Sequence, residues 1–127
     1  MNRIVTLTID GAEYPLLFSI LAMEDIYDAY GSLEDMMNKV FDSPNVAKQL
    51  KDVFCIIGIL NKAAIAYLHA KHQEGNVFDA NAMIATVNPY DAVKMDLWGV
   101  ALDAINKGNY QTVEVASNSK NAEATQG

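Results

Sequence analysis

Residues 44–72 read PNVAKQLKDVFCIIGILNKAAIAYLHAKH, and the spacing of their apolar side chains decides the fold. Val46, Leu50, Val53, Phe54, Ile57, Leu60, Ala64, Tyr67 and Leu68 recur three or four apart, the period of a helix rather than a strand. Ile56, Ile59 and Ala63 widen the stripe beyond a coiled-coil seam, so this helix should touch several elements at once. At the standard rise it would be about 40 Å long. Burying Phe54, Ile57 and Leu60 contributes roughly 1.5–3 kcal/mol each. Ser43 followed by Pro44 predicts a cap and a first-turn proline, where no intrahelical N–H bond is lost. His69, Lys71 and His72 suit the negative end of the helix dipole, and Gly75 suits termination. Gly58 costs about 1 kcal/mol against alanine; a bend and a close approach both fit. Cys55, inside Val53-Phe54-Cys55-Ile56-Ile57, is expected to be a buried small hydrophobe.

Upstream, Arg3 to Ile9 is rich in β-branched residues and favours extended structure. Asp10-Gly11 is a hairpin turn pair, and Tyr14 to Phe18 reads as the returning strand, with Pro15 best tolerated at an edge. A lone hairpin is marginal, so it should lie on helices or pair with another chain. Ser19 is positioned to cap a helix over Ile20 to Tyr30. Its apolar set is Leu21, Ile26 and Ala29, bordered by Met23, Tyr27 and Tyr30, with Glu24, Asp25 and Asp28 facing water. Gly31 suits a stop. Ser32 then opens a shortened capping box with Asp35, leading a short helix with Leu33, Met36, Met37, Val40 and Phe41 as its stripe.

Downstream, Val77-Phe78 can anchor a loop. Asp79 caps a helix from Ala80 to Val87 with Met83, Ile84 and Val87 inward. Asn88-Pro89 repeats the cap-plus-proline pattern, and the next helix is predicted to run unbroken to about Asn106. It uses Ala92, Val93, Leu97, Val100, Ala101 and Ile105, with Met95 and Trp98 at the border. Gly99 is a candidate for close approach. Tyr110 to Val115 reads as an extended segment, and Ala116 to Gly127 as a small, polar, flexible tail. The expected fold is mainly α (α+β): an N-terminal β-hairpin followed by a bundle of about four to five helices. Residues 1–108 form a single domain and residues 109–127 an appendage.

Composition narrows the function. The chain has 127 residues, is 51% hydrophobic and 20% charged, and carries a formal net charge of -7. Enough apolar surface exists for a real core without disulfides or metals. Arg3 is the only arginine, and there is no basic run, so a nucleic-acid or anionic-membrane partner is not expected. In residues 1–31 Arg3 stands against Asp10, Glu13, Glu24, Asp25 and Asp28, which favours solubility or a basic partner segment. Cys55 is the sole cysteine, so no internal disulfide forms. The start lacks the apolar core and cleavage site of a signal peptide, and no segment approaches eighteen uninterrupted apolar residues. A cytoplasmic location is expected.

Reactive constellations are thin. His69 and His72 are three apart and share a helix face, but no third ligand accompanies them, and no metal is expected. Glu24 and Asp28 share a face on the wet side of a helix, where solvated carboxylates are ordinary. Ser19, Ser32 and Ser43 sit where helices begin and read as caps. No GxSxG elbow, GxGxxG fingerprint, Walker loop or calcium loop occurs. The chain is read as a non-enzyme without a cofactor. Methionine and aromatic side chains instead suggest an adaptable contact surface, with core filling as the competing reading. The candidate protein-binding residues are Met23, Tyr27, Tyr30, Met36, Met37 and Phe41.

The stretch Tyr14-Pro15-Leu16-Leu17-Phe18-Ser19-Ile20-Leu21-Ala22-Met23-Glu24-Asp25-Ile26, continuing through Tyr30-Gly31-Ser32-Leu33-Glu34-Asp35-Met36, resembles the tail assembly chaperones of long-tailed bacteriophages of Gram-positive hosts. The similarity is one of layout over roughly residues 3–106: hairpin, helix ending near a glycine, short acidic-leading helix, then a helical body. The resemblance implies a small, acidic, helical protein that binds the tape-measure protein during tail morphogenesis in the host cytoplasm and is absent from the finished virion. It also implies a short form whose tail after Gly108 is where a frameshift-extended form would diverge. The alternative is a structural phage tail component or a generic helical protein-interaction adaptor. Unpaired strand edges and wide apolar faces favour a homo-oligomer of unspecified size.

Overall fold

The computed structural model describes the backbone of residues 3–117 and the side chains of residues 3–108. Two strands, β1 (Val5–Ile9) and β2 (Ala12–Leu16), form an antiparallel hairpin. The turn is Asp10-Gly11, with φ of 51° and 83°, the doubly positive pair that matches strand twist. The register places Thr6 opposite Pro15 and Leu7 opposite Tyr14. Pro15 therefore lies where its missing N–H would have pointed away from β1, and the ladder loses nothing. The second strand begins two residues earlier than expected. Leu17 and Phe18 are buried beyond its end, where the Leu17 N–H donates to the Leu60 carbonyl at 3.0 Å.

Among the described residues six helices follow: α1 (Ile20–Tyr30), α2 (Leu33–Phe41), α3 (Val46–Ala70), α4 (Ala80–Thr86), α5 (Pro89–Lys94) and α6 (Leu97–Ser117). The fold is mainly helical, a two-stranded hairpin followed by a helix bundle. Helix α3 is its axis, packing against β2, α1, α2, α4, α5 and α6. Val53, Phe54, Ile56, Ile57, Leu60, Ala63 and Ala64 are buried along it. An 18-residue window of α3 has mean hydropathy 1.7, so by length and composition alone the helix could cross a bilayer. In this fold 44% of that window is buried, against the hairpin and the other helices. Gly58 does not interrupt α3. A Cβ there would lie 3.4 Å from the Ala80 Cβ of α4, an ordinary van der Waals contact. Gly108 is more demanding: a Cβ would come within 2.6 Å of the Phe18 carbonyl oxygen, and its absence lets α6 close over the end of the hairpin.

Asn61, 1% exposed, ties three segments together. Its Nδ2 donates to the carbonyls of Pro15 (3.0 Å) and Asn76 (2.9 Å), and its Oδ1 accepts from the Phe78 N–H (2.7 Å). Asn76 in turn donates to the Glu13 carbonyl at 2.8 Å. Phe78 then inserts between Tyr14 (edge on, 5.3 Å) and Phe54 (stacked, 6.1 Å). Val77, expected to share the anchor, is exposed instead.

Several local expectations need correction. Asn45, not Ser43, caps α3, accepting from the Lys48 N–H at 2.8 Å. The Ser43 hydroxyl instead donates to the Lys39 carbonyl at the end of α2. Pro44 thus precedes the helix. Ser19 stands at the N-cap of α1 but makes no side-chain cap bond. The helix expected over residues 89–106 breaks at Met95-Asp96. Met95 turns extended (ψ 138°), and Asp96 restarts the chain by accepting from the Gly99 N–H at 3.3 Å, so Gly99 sits close to its own cap. The segment Tyr110 to Val115 continues α6 instead of extending. Adding one bond per residue to an existing helix outweighs a weak β preference. The predicted flexible tail lies outside the described residues beyond Ser117. Cys55 is exposed, because it shares the outward face with Lys51 and Lys62, four and seven residues away. Ala29, Val46 and Val93 also face outward, whereas Asp52 is only 7% exposed and pairs with Lys48 at 2.9 Å.

Candidate protein-binding surface

The candidate residues all lie on α1 and α2, two helices that pack on each other and on α3. Local sequence sets these helices up. Gly31 ends α1 with φ 99°, and Ser32 accepts from the Asp35 N–H at 3.0 Å to start α2. Each helix can bury only one diagonal. On α1 that diagonal is Ala22 and Ile26; on α2 it is Met36 and Val40.

The six candidates therefore separate. Met36 is fully buried in the core cluster, which removes it from any contact surface. Met23 and Tyr30 are partly buried against that cluster. Tyr27 (46% exposed), Met37 (36%) and Phe41 (61%) reach solvent. Met37 and Phe41 are four apart and share one face of α2. Lys39 lies with its Nζ 5.6 Å from the Tyr30 ring centroid, a cation–π contact that links the two helices. Burial pushes the Tyr30 phenol up to about 12, with the charges of Asp52 and Cys55 adding to the shift.

Sequence reasoning missed a neighbour of this surface. Phe41 packs edge to face with Trp98 of α6, centroids 6.0 Å apart. The Trp98 Nε1 is buried without a hydrogen-bond partner among the described residues. The two residues are far apart in the chain, and only the packing of α2 and α6 around α3 joins them. Ile20, Val46, Tyr90 and Val93 are further large apolar side chains left exposed. The rim is acidic: Glu24, Asp28, Glu34 and Asp35 are exposed, while Asp25 pairs with Lys62 of α3 at 3.2 Å. A surface of this kind can hold an apolar helix or strand by shape and burial.

The polar groups elsewhere are dispersed. His69 Nε2 lies 3.6 Å from a Glu74 carboxylate oxygen, beside an open recess lined also by His72 and Gln73. No group of three or more metal-ligating side chains comes together among the described residues. A second open recess is lined by Thr6, Glu13, Pro15, Leu68, Glu74, Gly75 and Asn76. No protein-family model, curated protein or solved structure matches this chain.

Proposed function

We propose that this chain is an assembly chaperone of the phage tail type, whose α1–α2 surface covers apolar segments of a tape-measure protein before the tail is built. The observation that carries the reading is the exposure of Tyr27, Met37 and Phe41 on two neighbouring helices whose adjacent diagonals are fully buried. Large apolar side chains grouped outside a well-filled core are a feature of partner-binding faces. The exposed acidic residues Glu24, Asp28, Glu34 and Asp35 support the same role, because like charges discourage self-association through this face. In this reading the protein acts in the host cytoplasm by protein–protein contact, with no catalysis, cofactor, nucleic acid or membrane.

The test is co-expression with the tape-measure-type protein encoded by the same genome. The parent chain is expected to raise the soluble yield of that client and to elute with it. The double variant Tyr27→Ser/Met37→Ser should weaken the complex about tenfold or more while keeping its thermal midpoint. Met36→Ser should instead lower stability, since it places a hydroxyl in the core. A client that stays insoluble beside the parent chain, or a double variant that binds as tightly as the parent, defeats the proposal. Recovery of the chain in purified virions would point to a structural tail component.

A further inference from the structure

We propose that β1 is a homodimerisation edge, pairing antiparallel with β1 of a second copy to make a four-stranded sheet. The two edges of the hairpin are treated differently by the fold. On β2, the carbonyls turned away from β1 are already occupied. Asn76 donates to the Glu13 carbonyl, Asn61 donates to the Pro15 carbonyl, and Pro15 has no N–H to offer. On β1, the register turns the main-chain groups of Thr6 and Thr8 outward, because these residues stand opposite Pro15 and Glu13 in the wide, unbonded pairs. No hydrogen bond among the described residues satisfies them. Helix α6 packs on β1, yet both threonines remain exposed. The strand also lacks the usual guards of an open edge: Val5–Ile9 carries no charge, no proline and no bulge.

The occupant is a second copy because the strand is self-complementary. Val-Thr-Leu-Thr-Ile reads as the same residue types in both directions about Leu7. A two-fold axis at Leu7 sets Thr6 against Thr8 of the other copy, Leu7 against Leu7, and Val5 against Ile9. This register joins the free groups, since each Thr6–Thr8 pair exchanges two N–H···O bonds. It keeps Leu7 and Ile9 of both copies on the buried face of the joined sheet and the threonines on the other. No charge is opposed within the strands. Such an isologous interface closes at two copies, because each β1 has one free edge.

Sedimentation velocity over a concentration series tests the register as well as the contact. The parent chain is expected to dimerise. The Thr6→Lys/Thr8→Lys variant should raise the dimer dissociation constant on the order of tenfold or more, because it sets lysine against lysine twice across the axis. The Thr6→Glu/Thr8→Lys variant should restore the dimer, because the same axis now sets glutamate against lysine. Circular dichroism of all three should coincide. A monomeric parent chain, a dimer indifferent to the double lysine, or a mixed-charge variant as dissociated as the double lysine would each overturn the assignment.

Discussion

Replacing Asn61 should damage this protein more than any comparable change at a polar side chain. Its amide is 1% exposed and holds three main-chain groups from two distant segments: the Pro15 and Asn76 carbonyls and the Phe78 N–H. Asn61→Leu keeps the branched outline of the side chain and is bulkier, so it removes the polar contacts without opening a cavity. Each main-chain group left buried without a partner costs about 1–3 kcal/mol. The Phe78 N–H is fully enclosed and should sit toward the upper end. The two carbonyls lie in partly buried bonds that water can in part replace, and should sit near the lower end. The sum is about 4–5 kcal/mol, a large share of the roughly 5–15 kcal/mol that stabilises an ordinary domain. Urea unfolding followed by circular dichroism and Trp98 fluorescence measures it, and hydrogen exchange at the Phe78 amide localises it. Asn76→Ala, which removes one exposed amide bond to Glu13, should cost only about 1 kcal/mol. A loss below about 1.5 kcal/mol for Asn61→Leu, or unaltered protection of the Phe78 amide, would refute the view that this residue staples hairpin, axis helix and loop.

Two further expectations follow from burial. Cys55 is exposed on α3, so it should react with a thiol reagent in the native state at a rate near that of the unfolded chain; reaction only after unfolding would place it inside. Tyr30 has its phenol raised from 10.0 to about 12. The unfolded chain then loses this proton first, so the stability that Tyr30 contributes is intact below pH 10 and is lost as pH rises toward about 12. Tyr30→Phe should flatten the fall in stability across that window, and an unchanged alkaline unfolding curve would contradict it.

The candidate surface was half legible in the sequence. Helical spacing identified α1 and α2 and their apolar residues. It did not say which of two adjacent diagonals each helix would bury, because Met36 with Val40 and Met37 with Phe41 satisfy the same four-residue spacing. Trp98 showed itself only at the border of an apolar stripe. Its contact with Phe41 depends on where α6 lands, and the chain break at Met95-Asp96 that directs α6 was hidden inside an acceptable helical pattern.

What the amino-acid sequence determined by itself is the set of features made within a few residues. Asp10-Gly11 turns the hairpin, and Ser32, Asp79 and Asn88 accept N–H groups two or three residues ahead. The broad stripe of residues 44–72 required a central helix. Such features need no knowledge of the rest of the molecule, because turn torsions, caps and helical period act over one or two turns of chain. Tertiary structure decided the remainder: the outward Cys55, the buried Met36, and the Asn61 amide reaching Pro15 across 46 residues. In each case the outcome depended on which neighbour arrived at that face, and an exposed or buried position is a property of the assembled packing rather than of the local chain.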